Sequence, residues 1–362
     1  MIDKLLKKMV ELNASDFCVK VGTPPVYRVD NKLKKLEEDA LTMADINEIL
    51  YKMLNNEQRQ RLARELEFDF SYGIAKLGRF RVNVFMQRGT VGIVFRHIRT
   101  DIRSFEDLNL PSDTLQRLSS ELRGLVLVTG TAGSGKSTAL SSMVEYINEN
   151  YERHVITIED PIEFLHSDKK GAVTQREVGV DTLSFHDALK RVIRQSPDVI
   201  MIGEMRDAET VRSAIMAAEM GNLVLSTLHT INAKSSMERI VNFFPPYQHS
   251  QVLFQLSGTI KGVVSLRLLP ALDGKGLIPA SEIMLSTPTV RKLISDGTLG
   301  DLNGVIASSE IEGMRTFNQD LVRLCNGNKI TKDVAMTYSD NPSELELSLS
   351  GLYSGRDTHK KK

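Results

Sequence analysis

Three observations predict an α/β chain of two domains. The 362 residues exceed the roughly 250–300 at which a single hydrophobic core stops growing. From Gly124 onward, short apolar runs alternate with helical patterns, and that alternation builds a mostly parallel sheet with helices on both faces. Ahead of it, residues 1–100 mix helical stripes with strand-like alternation and read as a smaller α/β domain.

Residues 2–12 put Leu5, Leu6, Met9 and Val10 on one stripe with lysines opposite, an amphipathic helix. Asp3 and Glu11 interrupt the basic face and no aromatic residue is present, so the stripe is expected on a sheet rather than on a membrane surface. Strands are expected at FCVKV (17–21) and PVYRV (25–29), and helices over 44–54 and 57–66. Within 78–98, Phe80, Val82 and Val84 alternate with Arg81, Asn83 and Phe85, the mark of a strand. Gly89 and Gly92 allow a hairpin into a second strand ending near Ile98.

Residues 101–123 are polar, carry Pro111 and hold one helix, and read as a linker. The larger domain that follows, 124–310, has strand runs at GLVLVTG (124–130), HVITIED (154–160), DVIMIGE (198–204) and LVLSTLH (223–229). Helical patterns occupy 138–149, 185–196, 208–220 and 233–242, with Asp207 expected to cap the helix that begins at Ala208. After Pro245 the chain is expected to be mostly helical over 246–269 and 288–295, with a short strand near 278–284. Two or three short helices are expected in 311–352, and 353–362 reads as a disordered tail.

Charge and cysteine usage narrow the function classes. Lys+Arg and Asp+Glu number 46 each, so no global field draws the chain to nucleic acid or anionic lipid. Cys18 and Cys325 have no second cysteine nearby, which argues against a CxxC zinc site or a disulfide framework and fits a reducing cytoplasm. No apolar run approaches the roughly 20 residues of a membrane span, and the amino terminus lacks the apolar centre of a signal peptide. The expectation is a cytoplasmic protein whose membrane contact, if any, is peripheral.

The chemistry centres on GTAGSGKST, residues 130–138, which fits G-x-x-x-x-G-K-[ST] between a strand run and a helical pattern. Gly130, Ala132, Gly133, Ser134, Gly135, Lys136, Ser137 and Thr138 are the expected nucleotide-binding residues. The glycines let backbone N–H groups of 132–138 point inward as an anion nest at a helix amino terminus. Lys136 then reaches the β and γ phosphates of ATP, and the Ser137 hydroxyl ligates Mg²⁺.

Hydrolysis also needs an acid for magnesium and a group that positions water. Acids stand near strand ends at Glu159-Asp160 with Glu163, at Asp198 and at Glu204. Ligands of open parallel sheets bind outside the carboxyl ends of the strands. Asp198 begins its strand, some 15–20 Å from that edge at about 3.3 Å per residue. Glu204 is on the correct edge, as is IEDPIE, where Pro161 holds the chain extended after Asp160 and aims Glu163 back over the site. On the residues alone each remains a candidate for either task, or for helix capping. His229 ends another strand run beside Thr227 and Thr230, either as a γ-phosphate sensor or as a capping histidine. Phosphoryl transfer is strongly accelerated by an arginine. Of Arg79, Arg81, Arg88 and Arg96 in the smaller domain, Arg79 and Arg88 read as solvated.

TGTAGSGKST, TIEDPIEF, VTQREVG, PDVIMIGEMRDAETV and LSTLHT, in this order, resemble the type II/IV secretion ATPases, most closely the type IV pilus retraction motors of the PilT/PilU group. The resemblance covers almost the entire chain. It implies a homohexameric ring in which each subunit has a PAS-like amino-terminal domain, a RecA-like P-loop ATPase domain and carboxyl-terminal helices. It implies Glu163 as the catalytic carboxylate of an "Asp box", Gly203-Glu204 as an atypical Walker B and His229 as the "His box" residue. Arg81 and Arg96 match amino-terminal arginines that approach the γ-phosphate. With Glu163 taken for catalysis, Glu204 falls to magnesium together with Ser137.

The extension motors of that family carry an added amino-terminal domain and a paired-CxxC loop, and this sequence shows neither, so retraction is the implied direction. REVGVDT, RIVNFFP, LPALDGKG and SDNPSELELSL resemble the PilU branch. Three places depart from the family pattern. Asn222 stands where a second His-box histidine is usual, Thr131-Ala132 replaces a usual Pro-Thr, and PTVRKLISDG matches AIRNLIRE only loosely. The implied activity is an ATP- and Mg²⁺-dependent motor at the inner face of the cytoplasmic membrane, working through an inner-membrane platform protein. The alternative is an accessory ring docked on a principal PilT-type ATPase. A nucleic-acid translocase is disfavoured by the charge balance and by the lack of an aromatic-basic stripe.

Overall fold

The computed structural model describes residues 1–29, 32–35, 39–75, 77–98 and 100–350; the tail expected at 353–362 lies outside them. The chain divides into two units, the first comprising Met1–Asp101 with Ile162–Leu165, the second Ile102–Pro161 and His166 onward.

The first unit contains α1 (Ile2–Glu11), β1 (Asp16–Lys20), β2 (Val26–Val29), β3 (Lys32–Lys35), α2 (Met43–Met53), α3 (Asn56–Glu65), β4 (Glu67–Ile74), β5 (Gly78–Gln87) and β6 (Thr90–Ile98). Its six strands pair in the order β3-β2-β1-β6-β5-β4, each pair antiparallel. The stripe of α1 is buried at Ile2, Leu5, Leu6 and Met9, and Tyr27 on β2 donates its hydroxyl to the Leu5 carbonyl at 3.2 Å. Capping boxes start α2 (Thr42 with Asp45) and α3 (Asn55 with Gln58), satisfying N–H groups that a helix cannot pair internally. The β5–β6 hairpin closes where Gln87 pairs Thr90, across Arg88 and Gly89 at φ 48° and 73°. Both central residues are left-handed, as a type I′ turn requires. Phe80, Val82 and Val84 are buried as the alternation predicts. The sequence reading contained neither β3 nor β4. For β4 the reason is local: Leu66, at φ 66°, ends α3 and the strand begins at once, without a Gly or Pro to mark the change.

The second unit runs α4 (Ser112–Ser120), β7 (Gly124–Thr129), α5 (Lys136–Asn150), β8 (His154–Glu159), β9 (Ala172–Glu177), α6 (Phe185–Val192), β10 (Val199–Ile202), α7 (Ala208–Glu219), β11 (Leu223–Leu228), α8 (Ala233–Asn242) and α9 (His249–Thr259). It continues with β12 (Ile260–Pro270), β13 (Leu277–Leu285), α10 (Pro288–Ser295), α11 (Leu302–Ser308), α12 (Phe317–Asn326), α13 (Lys332–Tyr338) and α14 (Pro342–Leu349). The seven strands lie in the order β13-β12-β7-β11-β10-β8-β9. All neighbours are parallel except β12 and β13. Every residue of β7, β10 and β11 is buried, as expected of central strands covered on both faces. This is the mixed α/β class that the sequence predicts.

One expectation is corrected. Residues 246–269 are helical only to Thr259, and 260–270 form β12, which pairs β7 on one side and β13 on the other. Helix passes directly into strand, and an apolar run such as IKGVVSLRLLP has no period that separates a buried strand from a buried helix. The segment read as a linker contributes Phe105, Leu115 and Leu118 to the core of the second unit. The last three helices form a small core of Phe317, Leu321, Leu324, Ile330, Ala335 and Leu345 with Leu269 and Ala280 of the strand pair. Asp320, fully buried, ties them down by accepting from the Ser281 N–H (2.7 Å), Arg315 (2.9 Å) and Arg323 (2.7 Å). Among the described residues no helix is long and apolar enough to cross a membrane.

Candidate active site: the phosphate loop and the strand edge beside it

Between β7 and α5 the loop turns on glycines with φ of 147° (Gly130), 76° (Gly133) and 93° (Gly135), a region L side chains avoid. At Gly130 the requirement is also steric, because a Cβ would fall 2.3 Å from Ser134 Oγ and 2.5 Å from the Leu266 carbonyl oxygen. Ser134 Oγ is buried without a hydrogen-bond partner among the described residues. Lys136 opens α5, where first-turn N–H groups have no intrahelical acceptor. Its ammonium donates to the carbonyls of Gly130 (2.9 Å) and Thr131 (2.8 Å). Burial pushes the Lys136 pKa below its ordinary value, and the Glu204 carboxylate opposes that shift. Ala132, Gly133 and Ser137 are exposed, and Thr138 is half-buried. Left-handed glycines, unpaired helix N–H groups, an orphan hydroxyl and a buried lysine together fit a nucleotide polyphosphate. The Ser137 hydroxyl and the Glu204 carboxylate are oxygen donors of the hard type that magnesium takes.

Glu204 stands just past β10 and is held by both neighbouring strands. The Gly203 N–H donates to the Ile158 carbonyl of β8 at 2.8 Å, while Thr227 of β11 donates its hydroxyl to the Gly203 carbonyl at 2.6 Å. The Met205 N–H returns to the Thr227 carbonyl at 3.1 Å. Thus fixed, the carboxylate accepts a hydrogen bond from Arg206 and lies 3.5 Å from His229 Nε2. That bond to Glu204 raises the Arg206 pKa further. Arg206 also stands 4.0 Å from Asp160 at the end of β8. The capping role belongs to Asp207, which accepts the Thr210 N–H at 2.8 Å.

The remaining sequence candidates lie elsewhere. Asp198 accepts the His154 N–H at 2.8 Å at the opposite edge of the sheet. Asn222 sits at that same edge, just before β11, and donates to the Pro197 carbonyl at 2.6 Å. The strand β11 therefore separates Asn222 from His229. Glu163 falls in Ile162–Leu165, which group with the first unit, as do Arg81 and Arg96. Arg81 is opposite Arg96 in the β5–β6 register. Like charges so placed repel, and Asp69 (3.7 Å from Arg81) and Asp16 (3.0 Å from Arg96) offset the repulsion. Lys136, Glu204 and His229 are thus brought together in the second unit, and Glu163, Arg81 and Arg96 are not part of it.

Further polar contacts involve Glu159, an acid already singled out from the sequence, and His166, Lys169 and Glu145, which were not. Glu159 is buried and accepts from the Thr157 hydroxyl (2.6 Å) and from Gln175 (3.1 Å). His166 and Lys169 reach Glu145 of α5 at 2.7 and 2.6 Å. Burial alone would raise the Glu145 pKa, and these two bonds overcome it and hold the carboxyl at about 2. Arg206 was legible as the close neighbour of Glu204; the contacts of Glu145 with His166 and Lys169 join residues distant in sequence.

The chain is 42% identical over 345 residues to the type IV pilus ATPase PilU of Pseudomonas aeruginosa, covering 95% of this chain and 90% of that protein. It is 40% identical over 344 residues to the retraction ATPase PilT of the same organism, covering 95% and 99%. A crystal structure of the pilus retraction motor PilT with bound ADP superposes with a TM-score of 0.86 at 43% identity, covering 95% of this chain and 98% of that one. The type II/IV secretion system protein family matches residues 1–295. The chain belongs to that family.

Proposed function

We propose that this chain is an ATP-hydrolysing motor that drives type IV pilus retraction as a homohexameric ring. The observation that carries the reading is the cluster of Lys136, Glu204, Arg206 and His229 beside a glycine loop shaped for phosphate, within a chain alike over its length to a retraction motor with bound ADP. In this reading Lys136 exchanges its loop carbonyls for β- and γ-phosphate oxygens. Ser137 and Glu204 hold magnesium, which neutralises developing phosphate charge when bound. Arg206 fixes the Glu204 carboxylate so that it need not reorganise during turnover. His229, 3.5 Å from that carboxylate, couples γ-phosphate occupancy to the chain beyond β11. Glu163 polarises the attacking water, and Arg81 and Arg96 stabilise phosphate charge. These three belong to the first unit, the amino-terminal domain of this reading. The ring works at the cytoplasmic face of the inner membrane on a platform protein of the pilus.

Glu163→Ala and Glu204→Ala, purified as full chains, should bind a fluorescent ATP analogue and release phosphate roughly tenfold more slowly or worse. Near-normal turnover in either removes that residue's role. A second reading, an accessory ring on a principal PilT-type motor, is favoured by the similarity to PilU at 42% identity. Rescue of retraction in cells that lack the principal motor excludes a purely accessory role.

A further inference from the structure

In ASEIML on β13, one carboxylate, Glu282, sits among apolar residues and is 3% exposed. Its oxygen accepts the N–H of Ala233, the first residue of α8, at 2.7 Å. A helix start offers both an unpaired donor and a favourable dipole to a carboxylate. Burial nevertheless pushes the Glu282 pKa up to about 7, with Asp340 adding to the rise, while the Ala233 N–H and Arg267 oppose it.

Glu282 closes a line of buried polar side chains across three adjacent strands. Thr129, the last residue of β7 before the phosphate loop, donates its hydroxyl to Ser265 of β12 at 2.9 Å. Ser265 is the register partner of Thr129 on one side and of Glu282 on the other. Directly opposed side chains share a face, and all three are buried. From Leu228, paired with Thr129 in register, the chain passes through His229 to the start of α8. This short crossover is tied to the helix it enters. Ser236 donates to the Asn232 carbonyl at 2.7 Å, which leaves Thr230 to donate to Ser236, also at 2.7 Å. The crossover and α8 thus hold together, and the Glu282 bond joins them to the sheet.

We infer that Glu282 is a positioning residue of the ATPase: by holding the first N–H of α8 it fixes the crossover that presents His229 to Glu204, and through Ser265 and Thr129 it joins that crossover to the strand bearing the phosphate loop. This rests on the reading of His229 as the residue that registers the γ-phosphate.

The test is steady-state ATP hydrolysis by the full chain carrying Glu282→Gln, Glu282→Leu, His229→Ala, or Glu282→Leu with His229→Ala, each melted to measure its folded fraction. Glu282→Gln still accepts the Ala233 N–H and should keep kcat within about twofold, whereas Glu282→Leu should lose about fivefold in kcat with KM for ATP within about twofold. In the His229→Ala background Glu282→Leu should cost nothing more. Full kcat in Glu282→Leu, or losses that multiply in the double variant, overturns the inference alone. Full kcat in His229→Ala overturns the reading of His229 and this inference with it. If Glu282→Leu does not fold, Ser265→Ala replaces it. It should lose about twofold in kcat, again absent in the His229→Ala background, and unchanged kcat overturns the inference.

Discussion

The two edges of the parallel sheet carry similar side chains and put them to different use. At the amino edge, Asp198 accepts the His154 N–H, Asn222 donates to the Pro197 carbonyl, and His154 Nδ1 lies 3.3 Å from the Ser196 carbonyl. These groups are spent on neighbouring backbone, and His154 Nε2 lies 3.1 Å from the Thr174 hydroxyl. At the carboxyl edge, Lys136, Glu204, Arg206, Asp160 and His229 address one another. Strand direction makes the difference: at the carboxyl ends the chain leaves the sheet into helix amino termini, whose free N–H groups favour anions.

The comparison breaks most readily at Lys136. Lys136→Ala should abolish measurable ATP hydrolysis, a loss of about a hundredfold or more, and weaken nucleotide binding. Arg206→Ala comes next, since it frees the Glu204 carboxylate; phosphate release should slow about threefold to tenfold, and the magnesium needed for half-maximal rate should rise.

A third prediction concerns stability, at a site belonging to neither edge. The folded Glu282 pKa, about 7, lies above the ordinary 4.5, so the folded chain binds more protons in that window. The stability this contributes is fully present below about pH 4.5 and is lost as pH rises through about 7. Arg267 and Asp340 are the charges acting on the group. Urea midpoints at pH 5 and pH 8 should therefore show Glu282→Gln gaining on the parent chain at the higher pH. An unchanged difference between the two pH values contradicts it. The smallest effect is expected for Asn222→His at the amino edge: kcat should stay within about twofold, and any change should appear in the melting temperature.

What could be read from the sequence was what is written locally. The phosphate loop, the strands leading to Gly130, Glu204 and His229, and the Asp207 cap all depend on residues within a few positions of one another. Strand β12 was not legible as a strand, because helix α9 runs into it without punctuation and its burial on both faces removes alternation. Glu282 gave no signal, since its partner Ala233 is 49 residues away in sequence. The placement of Glu163 was not legible either, because the chain leaves the second unit after Pro161 and rejoins it at His166. Only the packing of Ile162–Leu165 decides which unit they join.

The central claim is that, of the two edges of the parallel sheet, only the carboxyl edge takes part in the chemistry, and two isosteric changes of charge test it most directly. The kcat for ATP hydrolysis by full-length Glu204→Gln and Asp198→Asn, measured side by side at saturating magnesium, should fall about tenfold or more in the first and stay within about twofold in the second. Equal losses in both, or a greater loss in Asp198→Asn, contradict the account.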